Sequence, residues 1–72
     1  MDIRKKIGLR IKSLREEKEL SQKDLAYSSD LDRTYIASVE NGKRNISIIN
    51  IEKIANGLNI SVKAFFDDIT FS

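Results

Sequence analysis

Ile3, Ile7, Ile11 and Leu14 recur at intervals of four, four and three residues, the spacing that lines up side chains on one stripe of an α-helix. The pattern predicts an amphipathic first helix over residues 2–18. Gly8 falls inside it, at a cost of about 1 kcal/mol relative to alanine. It reads equally as a point of close packing and as a tolerated flaw. Ser21 is placed as an N-cap, with Asp24 at the capping-box position. Asp is a weaker box partner than Glu, but its charge suits a helix N-terminus. The second helix is predicted over residues 22–28, turning Leu25 and Ala26 inward. Ser29-Asp30 ends it, and Asp is a residue type that can take the left-handed conformation of a tight turn. Asp32 caps a third helix over residues 33–41, which Gly42 stops. Ser47 caps a fourth, where Ile51, Ile54, Ala55 and Leu58 repeat at helical spacing and Gly57 lies near the end. Ser61 caps a short fifth helix through about Asp67. Five helices with short joints and no proline, low-complexity tract or long-period repeat leave no place for a linker.

The composition narrows the chemistry. With 72 residues, one domain is expected, near the lower end of what folds without staples, so an efficient core or oligomerisation is needed. The chain has no cysteine and no histidine. A disulfide framework, a thiol nucleophile, the usual zinc sites and the commonest general base are therefore missing. No glycine-rich phosphate loop exists, and the Asp67-Asp68 pair lacks a partner motif. An enzyme is not expected, and neither a metal nor another cofactor is called for. The 40% hydrophobic and 33% charged content suits a soluble helical protein. No apolar run approaches the roughly 20 residues of a membrane span, and the N-terminus lacks the apolar segment of a signal peptide; a cytoplasmic protein is expected. Residues 1–20 carry seven basic against four acidic side chains, whereas residues 47–72 carry two against three. A basic first half and a slightly acidic end suit one face for a polyanion and another for a different partner.

The stretch LDRTYIASVENGKRN, residues 31–45, sharpens that picture. At about 100° per residue, Ile36 and Val39 mark the buried side of the third helix. Thr34, Ala37, Ser38 and Asn41 fall opposite, with Arg33 and Tyr35 on the flanks at the amino end. Such a face is small and polar in the middle and carries long hydrogen-bonding side chains at one end. The DNA major groove, about 12 Å wide, admits such a helix. Two helices joined at Ser29-Asp30, the second facing outward, form a helix-turn-helix arrangement.

At this point the chain resembles the Cro/CI-type (XRE-like) helix-turn-helix regulators of phages and bacteria. The resemblance covers Arg10 to about Phe66. It rests on SLREEKELSQKDLA with Ala26, on Ile36 and Val39 at their intervals, on ENGKR after the recognition helix, and on LNISVKAFF closing the domain. The departure is Asp30, where the family often has glycine. LDRTYIASVENGKRNISIINIEKI is similar in particular to the stand-alone controller proteins of bacterial restriction–modification systems. The resemblance implies an all-α fold, a compact five-helix bundle of the lambda-repressor-like DNA-binding type with the helix-turn-helix over about residues 21–41. It also implies a homodimer on a palindromic operator in its own operon, activating or repressing by occupancy, timing endonuclease expression, and engaging RNA polymerase as a further partner. A phage or plasmid repressor of the same fold and an antitoxin-like protein-interaction module are the alternatives.

Arg33 and Thr34 are the leading base readers: Arg grips guanine O6 and N7 in bidentate fashion, and Thr bonds a base or touches a thymine methyl. Tyr35 and Ser38 are added to that set. Tyr35 also reads as a half-buried ring shielding the helix pair. Asn41, Lys43, Arg44 and Asn45 suit phosphate contacts, which fix register but carry no sequence code. By resemblance, Gln22 anchors the DNA backbone, and Arg15 pairs with Glu40 to tie the recognition helix to the scaffold. Dimerisation is placed in residues 58–72. Neighbouring phenylalanines on one helix point about 100° apart, so Phe65 is assigned to the core and Phe66 to an isologous patch with Ile60 and Ile69.

Overall fold

The computed structural model describes residues 2–72. Helices α1 (Ile3–Glu17), α2 (Gln22–Ser29), α3 (Arg33–Glu40), α4 (Ile48–Gly57) and α5 (Val62–Phe66) follow one another, and a 3-10 turn over Ile69–Phe71 closes the chain. Among the described residues the fold is all-α with five α-helices, as expected. Each helix starts where a short polar side chain satisfies one of its orphan N–H groups. Asp2 accepts from Arg4 N, Ser21 from Asp24 N, Asp32 from Thr34 N, Ser47 from Asn50 N and Ser61 from Ala64 N. The capping box at α2 closes in both directions at 2.9 Å, aspartate being sufficient as the partner. The Ser21 N–H and hydroxyl hold the Asp24 carboxyl below its ordinary pKa.

Helices α1 to α4 also end alike. Glu19, Asp30, Gly42 and Asn59 adopt positive φ of 57°, 56°, 73° and 61°. The residue after each returns its N–H to a carbonyl five residues back: Leu20 to Arg15 at 3.0 Å, Leu31 to Ala26 at 2.9 Å, Lys43 to Ser38 at 3.1 Å and Ile60 to Ala55 at 3.0 Å. This is the Schellman closure. It aims Leu20, Leu31 and Ile60 back onto the core. Asp30 thus adopts the left-handed turn although it is not glycine. Asn59, not Gly57, is the left-handed residue after α4.

A single core joins Ile7, Ile11, Leu14, Leu25, Ala26, Ile36, Val39, Ile51, Ile54, Ala55, Leu58 and Phe65. Ile3 belongs to the α1 stripe but lies beyond the edge of that core and is 56% exposed. Gly8 proves to be a packing glycine. A Cβ there would sit 2.6 Å from the Glu40 carbonyl oxygen and would also strike that of Val39, so α1 crosses the end of α3 backbone against backbone. Gly57 lets α4 approach the end of α2, where a Cβ would run into the Ser29 hydroxyl. The C-terminal segment is held by Arg10, whose Nε donates to Phe65 O at 2.8 Å, Nη2 to Ala64 O at 3.0 Å and Nη1 to Asp68 at 3.2 Å.

Candidate DNA-binding interface

The recognition helix is anchored from behind. Arg15 meets Glu40 in a two-pronged ion pair, Nε to Oε2 at 2.7 Å and Nη2 to Oε1 at 3.1 Å. A third arm, Nη1, donates to Leu20 O at 2.8 Å. The paired side chains are 11% and 2% exposed, and hydrogen bonding to the Glu40 carboxylate raises the Arg15 pKa above its ordinary value. Gln22 completes the cluster by donating Nε2 to Glu40 Oε1 at 3.1 Å. Its carboxamide keeps a second N–H and its carbonyl for another partner. One carboxylate at the end of α3 therefore gathers α1, the α1–α2 joint and the start of α2.

On the outer side, Arg33 and Thr34 are exposed at the first turn of α3. Arg33 forms no ion pair among the described residues, and the neighbouring Asp32 carboxylate accepts from Thr34 N at 3.1 Å. Ser38 and Ala37 are half-buried, while Asn41, Lys43, Arg44 and Asn45 are exposed past the end of the helix. Tyr35 is half-buried but not idle. Its ring lies under the Arg44 guanidinium at 5.2 Å from the centroid, and its hydroxyl oxygen accepts from Asn50 Nδ2 at 3.0 Å. Arg15, Ser21, Gln22, Lys23 and Arg33 line one shallow hollow, which brings the starts of α2 and α3 together. Among the described residues no cluster of His, Cys, Asp and Glu could hold a metal ion, and no helix is long and apolar enough to cross a membrane.

The helix-turn-helix family profile matches residues 11–65. Control protein C.MunI of Mycoplasma sp is 52% identical over 69 residues, spanning 94% of this chain and 93% of the relative. The crystal structure of the restriction–modification controller protein C.AhdI from Aeromonas hydrophila superposes with a TM-score of 0.84 at 46% identity, covering 88% of this chain and 96% of that one. This chain belongs to the restriction–modification control proteins. The wild-type controller C.Esp1396I superposes at a TM-score of 0.88 with 43% identity over 93% of this chain and 87% of its own. C.Esp1396I has been solved as a tetramer in complex with its natural 35-base-pair operator, and has also been solved bound to a 25-base-pair operator site.

In this control protein the C-terminal third presents more apolar surface than the residue spacing indicated. Phe65 is fully buried. Phe66 is half-buried, its ring edge-on to Phe65 and Phe71 at 5.0 Å from each. Ile60 is half-buried against the core and Ile69 is 86% exposed. Ile48 and Ile49, at the start of α4, are 73% and 66% exposed and share a hollow with Glu52 and Val62. The sequence reading passed over these two because the α4 stripe was taken from Ile51 onward; adjacent isoleucines just inside a cap, outside that stripe, were the available signal. Lys23, which directly follows Gln22 and was left out of the sequence-based set, lines the same hollow as Gln22 and Arg33. Nothing in the local sequence marks Asn50, whose partner is 15 residues away.

Proposed function

We propose that this control protein binds a palindromic operator in its own operon as a homodimer and regulates transcription there, setting when the endonuclease is expressed. Its site of action is the cytoplasm, and activation would engage RNA polymerase at the same promoter. The observation that carries the reading is the recognition helix itself. Arg33 and Thr34 stand free on its outer first turn, while Glu40 at its far end is fixed to the scaffold by Arg15. A rigid back and an unpaired, base-matching front suit direct readout in the major groove. Arg33, Thr34, Tyr35 and Ser38 read bases in this proposal. Gln22, Asn41, Lys43, Arg44 and Asn45 hold phosphates, and Lys23 joins them through the hollow it shares with Gln22 and Arg33. The dimer forms through the apolar surface of the C-terminal third, where Ile48, Ile49 and Val62 extend the set of Ile60, Phe66 and Ile69.

Arg33→Ala tests the base-reading assignment. It should abolish discrimination between the operator and a variant mismatched at one symmetric pair of positions, a loss of roughly 1–3 kcal/mol per half-site. Equal loss of affinity for operator and random DNA would make Arg33 a phosphate contact instead. Removing Lys43 should weaken binding to every duplex alike and reduce the slope of log K against log salt by about 1 per half-site. An unchanged slope would return Lys43 to a solvated loop.

A further inference from the structure

Tyr35 is the one proposed base reader whose side chain is held at both its ring and its hydroxyl. Arg44 covers a face of the ring. Asn50, in the first turn of α4 and outside the helix-turn-helix, gives an amide N–H to the phenolic oxygen at 3.0 Å. The backbone of Asn50 is itself anchored, its N–H donating to Ser47 Oγ at 3.1 Å. A phenol has one O–H to donate and lone pairs to accept with. When Asn50 occupies a lone pair as donor, the hydroxyl proton must point elsewhere. Among the described residues the Tyr35 hydroxyl donates no hydrogen bond.

We infer that Asn50 is a positioning residue for operator recognition, orienting the Tyr35 hydroxyl so that its proton is presented outward to an acceptor on the DNA. This rests on the proposed role of Tyr35 at the operator. The acceptors DNA offers are phosphate oxygens and, in the major groove, guanine N7 and O6, adenine N7 and thymine O4. A carboxamide suits the task because its N–H₂ donates without adding charge beside the phosphates. An aspartate at position 50 could only accept when ionised, which would turn the phenolic proton inward and away from DNA.

The experiment is a double-mutant cycle on the full-length protein. Affinity is measured by fluorescence anisotropy for a duplex carrying its own promoter operator and for a random duplex of equal length, at fixed salt. Circular dichroism and thermal melting report that each variant is folded. Asn50→Ala and Tyr35→Phe should each weaken operator binding about tenfold per half-site, the scale of one lost hydrogen bond, and barely change binding to the random duplex. In the Tyr35→Phe background, Asn50→Ala should have no further effect, since the two changes remove one interaction. Asn50→Asp should cost more than Asn50→Ala when Tyr35 is present, and that excess should shrink in the Tyr35→Phe background to what charge repulsion leaves. Undiminished operator affinity in Asn50→Ala, beside a clear loss in Tyr35→Phe, would overturn the positioning role while leaving Tyr35 at the DNA. A loss in Asn50→Ala that persists in the Tyr35→Phe background would overturn it as well. Parent-like binding by both Tyr35→Phe and Tyr35→Ala would instead remove Tyr35 from the interface, and with it the premise.

Discussion

Glu40→Ala should lower the unfolding free energy by about 3 kcal/mol or more, the scale of removing one partner from a buried ion pair. Two observations set that size. The Glu40 side chain is only 2% exposed and Arg15 11%, so Arg15 would stay buried with the Leu20 carbonyl as its remaining partner. Gln22 would lose its acceptor in the same step. A chain of this length has about 4–11 kcal/mol of stability in total, so the variant should stand near the threshold of folding. The matching double replacement, Arg15→Met with Glu40→Leu, should recover most of the loss, because paired burial of two charges contributes little net stability over an apolar substitute. Urea titrations of the three proteins decide the point. A shift below about 1 kcal/mol for Glu40→Ala, the range of exposed pairs, would mean that the cluster is solvated and does not brace the recognition helix.

Ile49→Asp should give a folded monomer that binds its operator only weakly. Ile49 is 66% exposed in the isolated chain, so the change leaves the core intact and any effect falls on association. Across a two-fold axis each substitution counts twice. Two interface positions at about 2 kcal/mol each amount to on the order of a thousandfold in dimer affinity. Losing the dimer also loses the simultaneous reading of two half-sites on which helix-turn-helix proteins depend. Ile69→Asp asks the same question of the 3-10 turn. Phe66→Asp must be read with a melting curve, since Phe66 packs on Phe65 and Phe71 and its loss weakens the fold as well. Sedimentation equilibrium at micromolar concentration separates the outcomes. An Ile49→Asp protein that still sediments as the parent dimer would move the interface off α4. A parent that is monomeric throughout that range, yet binds a full palindrome without cooperativity, would remove the dimer altogether.

Much of the fold could be read along the chain because its determinants act over a few residues. Ser21, Asp32, Ser47 and Ser61 cap helices from positions two or three residues away. Gly42 takes the left-handed conformation directly after its helix, and Asp30 does so despite standing where glycine is common. The stripes of α1 and α4 follow from a 3.6-residue period alone; the same period sets Phe65 and Phe66 on different faces, and the structure buries Phe65 fully and Phe66 by half. Glu19 and Asn59 escaped notice because neither announces a turn as glycine does; only the Schellman closure reveals them.

What the chain could not disclose by itself lies where two distant segments meet. Arg15 and Glu40 are 25 residues apart, and it was the family likeness, not any spacing, that joined them. Gly8 could be weighed as a flaw or as a contact until α1 was seen crossing the carbonyls that end α3. Arg10 finds its acceptors 54 to 58 residues on, at the end of α5 and just beyond it. Ile48 and Ile49 acquire meaning only once the core is seen to be filled without them. Periodicity and caps dictate which segments are helical and which face turns inward, because they depend on backbone geometry within a turn or two. The partner of a long polar side chain, the approach of two backbones and the surface left uncovered depend on how the helices pack, and that was settled only in three dimensions.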